Sequence, residues 1–120
     1  MVGCPWKSGA CTWPACWLGF TDARFELLDG DAEVLPGLEV IATPGHTEGH
    51  QCVVVRGDDG VDLLIGDAAY TPRQYADPAS DSLPPGQASD VGAWRESVRR
   101  LRLLDPGQVH FCHHTDIVHS

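Results

Sequence analysis

Thr43-Pro44-Gly45-His46-Thr47-Glu48-Gly49-His50 lies between two apolar runs, Leu38-Glu39-Val40-Ile41 and Cys52-Val53-Val54-Val55. The flanking runs read as strands, so the octapeptide is a loop at a strand end. Pro44, Gly45 and Gly49 oppose helix through this loop. They separate its His-Thr-Glu-Gly-His from the helical zinc motif H-E-x-x-H, which also needs its glutamate elsewhere. Loops held by rigid strands carry a disproportionate share of binding and catalytic groups, and imidazole is the commonest metal ligand among side chains. A metal-dependent site therefore heads the expectations.

Outward from the loop, short β-prone segments alternate with turn signals. Phe25 to Leu28 alternates as a strand would, Asp29-Gly30-Asp31 marks a turn, and Glu33 to Leu35 leads to a second turn at Pro36-Gly37. Leu38–Ala42, Gln51–Arg56 and Val61–Ile65 continue a meander in which sequence neighbours pair in space. Their mostly continuous apolar runs imply strands covered on both faces. Residues 71–90 are rich in Pro, Asp and Ser and read as a surface loop with one helical turn. Val91, Trp94, Val98 and Leu101 then recur at helical spacing, behind a cap at Ser89 or Asp90 and ahead of a stop at Asp105-Pro106-Gly107. A final strand is expected at Val109–Cys112. Residues 21–120 thus form one domain of α/β (α+β) class.

Residues 1–20 differ in kind. They hold three of the five cysteines, three of the four tryptophans and no acidic residue. They read as an irregular arm, and a mis-started reading frame with native sequence from Thr21 would explain the break. The cysteine spacings match no C-x-x-C knuckle, and an odd count without a secretory signal argues against a disulfide framework. A small Cys/His structural zinc domain is the minor alternative. The net charge of −9 argues against a nucleic-acid backbone as partner. No apolar run approaches the ~20 residues of a membrane span. A cytoplasmic protein without membrane attachment is the expectation. Four of the eight basic residues, Arg95, Arg99, Arg100 and Arg102, fall on the helix and read as a solvated face.

Three polar clusters follow strand ends: His46 with His50, Asp67 with Tyr70, and His113 with His114. If the strands lie side by side, all three reach one sheet edge. Imidazoles with a carboxylate form an ordinary zinc set, and a carboxylate can bridge two ions. His110 and His119 read as structural or solvated.

With these residues in place the chain resembles the second half of a metallo-β-lactamase-fold hydrolase, over roughly residues 21–120. The resemblance implies half of an αββα sandwich and a dinuclear, usually zinc, centre. His46 would ligate one metal, Asp67 would bridge both, and His113 would ligate the other, with His114 as the rival to His113. His50 would support the site without ligating. Asp67-Ala68-Ala69-Tyr70 resembles the N-acyl homoserine lactonase branch, the quorum-quenching hydrolases, in which such a tyrosine helps polarise the lactone carbonyl. Metal-bound hydroxide would open the ring of a small lactone or ester. A fragment of a glyoxalase-II-like thioesterase is the neighbouring chemistry.

The chain departs from that pattern in one respect. The family's H-x-H-x-D-H ligands have no counterpart, because no histidine precedes His46. Three ligands would serve two ions, so weak metal binding and little turnover are expected of this chain alone. A half sandwich would also expose apolar surface open to self-association. The competing class is a non-catalytic remnant or interaction module that keeps the fold signature without the chemistry.

Overall fold

The computed structural model describes residues 24–77 and 88–119. Residues 1–20, read above as an arm, and residues 78–87 of the expected surface loop lie outside them. The described residues form a six-stranded mixed sheet in the order β1-β2-β3-β4-β5-β6. The strands are β1 (Ala32–Leu35), β2 (Leu38–Ala42), β3 (Gln51–Gly57), β4 (Gly60–Leu64), β5 (Gln108–His110) and β6 (Ile117–His119). Each is antiparallel to its neighbour except β4 and β5, which run parallel. A parallel step needs a long crossover. Here it carries the short helix α1 (Pro72–Ala76) and the main helix α2 (Val91–Leu103).

Side chains alternate between the two faces of each strand. Cys52 and Val54 of β3, Leu63 of β4, Ile65 beyond it and Val109 of β5 are buried with Ile41 of β2 in one core. α2 seals this core. Trp94, Val98 and Leu101 are fully buried, as their spacing predicts, and Ser97 joins them. Val91, expected in the stripe, is exposed. The Asp90 carboxylate caps α2 by accepting from the Ala93 amide at 3.0 Å, which satisfies one of the orphan donors of the first turn. At the other end Arg100 binds Asp31 at 2.9 Å, and Asp31 also accepts from the Ala42 amide at 2.8 Å. This ties the helix to the β1–β2 edge.

Two expectations need correction. Phe25–Leu28 forms no strand, because no described strand pairs with it, and Leu27 is 71% exposed. The chain after the helix forms two strands, not one. β5 stops at His110, and Ile117–His119 turns back to pair antiparallel with it, Val109 opposite Val118. His119 is a ladder residue of the edge strand, opposite Gln108. The face of the sheet away from α2 is not covered by the described residues, the exposure expected of a half sandwich: Val55, Leu64 and Ile117 are each about 40% exposed.

Candidate metal centre

β2 and β4 are both antiparallel to β3, and β5 is parallel to β4. The carboxyl ends of β2, β4 and β5 therefore point the same way. The loops that follow them carry His46, Asp67 and His113, so strand direction alone brings the three clusters to one edge.

Asp67 stands at the centre. It sits in a 3-10 turn, Gly66–Ala68, directly after β4. His113 Nε2 lies 2.9 Å from its Oδ1, and His46 Nε2 lies 3.5 Å from its Oδ2. Each carboxylate oxygen thus meets a different imidazole. Tyr70 closes the group, its ring 4.2 Å from that of His113 and 6.1 Å from that of His46. The side chain of His46 is 19% exposed and that of His113 is 51% exposed, so the cluster opens to solvent on the His113 side. His114 turns away: its Nδ1 accepts from the Asp116 amide at 3.1 Å. His110 pairs with Asp62 at 3.2 Å within the sheet.

His50 is held differently. Its Nε2 accepts from the Asp67 backbone amide at 2.9 Å. An acceptor nitrogen carries no proton, so the proton of the neutral ring is on Nδ1. Nδ1 then donates to Thr43 Oγ1 at 2.7 Å. Burial favours this neutral form and pulls the His50 pKa below its ordinary value, against the opposing pull of the Asp67 charge. The chain of bonds continues inward. Cys52 Sγ lies 3.3 Å from Thr43 Oγ1, and its thiol donates to the Ile65 carbonyl at 3.1 Å. Burial pushes the Cys52 thiol up to about 12, so it stays protonated and acts as a structural donor. Gly66 makes the His50 contact sterically open. Its φ is +57°, and a Cβ there would stand 3.0 Å from His50 Nε2.

α2 reaches the same two segments from behind. The Trp94 indole N–H donates to the Ala68 carbonyl, and Ser97 Oγ donates to the Pro44 carbonyl at 2.7 Å. The Gly45 carbonyl accepts from the Asp90 amide at 3.0 Å. Trp94 stood out in the sequence only as helix core, and Ser97 did not stand out at all. Cys52 was equally silent, since it reads as an ordinary strand residue, and Thr43 stood out only as the first residue of the loop.

The donors suit divalent zinc in kind: two neutral nitrogens with a carboxylate offering one oxygen to each. They do not suit it in number. Among the described residues no group of three or more His, Cys, Asp or Glu side chains converges to hold an ion. A catalytic zinc keeps three protein ligands of its own, and His46, Asp67 and His113 divide into two pairs.

Comparison with known proteins identifies relatives of the fold. An N-acyl homoserine lactonase of Bacillus thuringiensis is 33% identical over 84 residues, which are 68% of this chain and 34% of the relative. One of Bacillus cereus is 39% identical over 55 residues, 45% of this chain and 22% of the relative. The chain therefore spans about a third or less of the length of these relatives. Among solved structures, an N-acyl homoserine lactone hydrolase with the product N-hexanoyl-L-homoserine bound at its catalytic metal center superposes with a TM-score of 0.61. The sequence identity is 30%, over 72% of this chain and 34% of that one. A quorum-quenching N-acyl homoserine lactone lactonase superposes equally well, with the same TM-score and identity. The sequence description of the Metallo-beta-lactamase superfamily matches residues 11–113, a span that takes in His46, Asp67 and His113. By that match, over most of its length and across all three strand-end clusters, this chain belongs to the metallo-β-lactamase superfamily.

Proposed function

We propose that this chain carries one side of a dinuclear metal centre for hydrolysis of a small lactone, of the N-acyl homoserine lactone type. The observation that carries the reading is the single carboxylate of Asp67 shared between His46 and His113, with the Tyr70 ring against both imidazoles. His46 and His113 would each offer one nitrogen to a metal, and Asp67 one oxygen to each ion. Zinc is the metal that suits this donor set best. His113 is the ligand over His114, whose ring is engaged with Asp116. Tyr70, whose ring lies beside both imidazoles, would donate its phenol to a substrate carbonyl. The Tyr70 position and the relatives' names together favour a lactone over the thioester of a glyoxalase-II-like enzyme.

Because the donors among the described residues fall short in number, and no histidine precedes His46, ring opening would require further ligands. The whole site would form only when a polypeptide bearing further His and Asp ligands packs on the open face of the sheet. Without it, the half-exposed Val55, Leu64 and Ile117 favour self-association of the chain. A second reading, a non-catalytic interaction module, is favoured by the lack of any three-donor group among the described residues.

Metal analysis and lactone turnover separate the two. The chain alone should bind zinc below one equivalent and leave N-hexanoyl homoserine lactone intact. Co-expressed with a segment that supplies H-x-H-x-D-H ligands, it should bind two equivalents and open the ring, with turnover lost in Asp67→Asn. A complex that binds two zinc ions without turnover would leave the module reading standing.

A further inference from the structure

We infer that α2 is the element that sets the spacing between the two metal-facing segments, with Trp94 and Ser97 as positioning residues. The inference rests on the metal-centre reading of His46 and Asp67. His46 and Asp67 lie on separate loops, which meet directly through the bond from the Asp67 amide to His50. One helix holds both. Three consecutive carbonyls of the His46 loop are accounted for by α2 and the residues leading into it. Pro44 accepts from Ser97 Oγ at 2.7 Å, Gly45 accepts from the Asp90 amide at 3.0 Å and Ser89 Oγ at 3.2 Å, and His46 accepts from the Ser89 amide at 3.3 Å. The carbonyl of Ala68, the residue after Asp67, accepts from the Trp94 indole.

The fit is also steric. Gly45 has a φ of +143°, and a Cβ built there would lie 2.3 Å from the Trp94 Cα. The loop backbone therefore presses directly on the helix backbone, at the same residue whose indole reaches Ala68. Trp94 is 1% exposed and Ser97 3% exposed, so water cannot readily replace either donor. His50 fixes the Asp67 amide from the loop side, and Trp94 fixes the Ala68 carbonyl from the helix side. The backbone around Asp67 is thus held on both flanks, which fixes the point from which its carboxylate reaches His46 and His113. Groups that orient a ligand without touching the ion govern metal affinity in this manner.

The test uses the full chain. Trp94→Phe removes the indole donor while keeping an aromatic ring, and Ser97→Ala removes the hydroxyl with little change of volume. Val98→Ala is the control, because Val98 is equally buried on α2 but makes no polar contact with either loop. Amide hydrogen exchange of the metal-free protein is read by NMR, and zinc affinity by titration. Trp94→Phe is expected to speed exchange at Asp67 and Gly45 by roughly tenfold or more relative to Val98→Ala, and to weaken zinc binding by roughly tenfold. Should Trp94→Phe fail to fold, Ser97→Ala is expected to speed exchange selectively at Gly45 and His46. Equal exchange patterns in the control and in these variants would overturn the inference, even if zinc still bound through His46. Selective exchange in a protein whose zinc binding ignores His46→Ala would instead uphold the role of the helix and overturn the metal reading.

Discussion

Replacing His50 by alanine tests the internal scaffold of the site. The substitution strips the Asp67 amide of its acceptor and Thr43 Oγ1 of its donor. A buried polar group left without a partner costs about 1–3 kcal/mol. Thr43 is almost fully buried but keeps its contact with Cys52, so its share belongs near the lower end. The Asp67 amide lies beside a partly open loop, and water entering the vacated space would recover part of its loss. The sum is roughly 2–3 kcal/mol, a large fraction of the 5–15 kcal/mol typical of a domain. Urea denaturation followed by circular dichroism measures it. His50→Gln places an amide oxygen near the position of Nε2 and should restore about 1 kcal/mol. The same pair of proteins carries a pH signature. The folded pKa of His50 lies below the unfolded value of 6.5. Around and below 6.5 the unfolded chain therefore binds more protons than the fold, and stability rises with pH. Wild type should lose stability as pH falls from 6.5 towards the folded pKa, and His50→Gln should lose less over the same window. An alanine variant within 0.5 kcal/mol of wild type, or identical acid profiles for wild type and His50→Gln, would refute the hydrogen-bond scheme.

Other outcomes follow from the same geometry. Gly45→Ala introduces a Cβ at 2.3 Å from the Trp94 Cα at a positive φ, and urea titration should register a loss of roughly 3 kcal/mol or an unfolded protein. Cys52 is buried and protonated whereas Cys112 is exposed, so brief iodoacetamide treatment with peptide mass spectrometry should find Cys112 modified and Cys52 intact until denaturant is added. In a complex that turns over lactone, Tyr70→Phe should lower kcat by tenfold or more with little loss of zinc, on the order seen for removing one oxyanion donor; unchanged kcat would remove the basis for the lactone over the thioester.

Much of this was legible in the residues because it rests on local chemistry. The four strands β1 to β4 followed from β-branched runs punctuated by Asp-Gly and Pro-Gly, and α2 followed from the spacing of Trp94, Val98 and Leu101. His46, Asp67 and His113 stood out because each follows a strand, and the directions of those strands bring them to one edge. What stayed hidden depends on tertiary partners. Phe25–Leu28 alternates well enough for a strand but finds none to pair with. β6 has only three residues, too few for a period to show, and exists because β5 offers it an edge. Ser97 reads as a polar interruption of a helix until the Pro44 carbonyl is seen beneath it. The bond from His50 to the Asp67 amide joins residues 17 apart in sequence, and no spacing rule predicts it.

The most direct test of the account is zinc titration of the chain with NMR detection of its imidazole side-chain resonances. His46 and His113 should shift together as zinc is added. His50 should keep its Nδ1–H tautomer, His114 should stay unperturbed, and Asp67→Asn should abolish both shifts. Zinc-induced shifts at His114 or direct coordination by His50, with His46 and His113 unmoved, would contradict it.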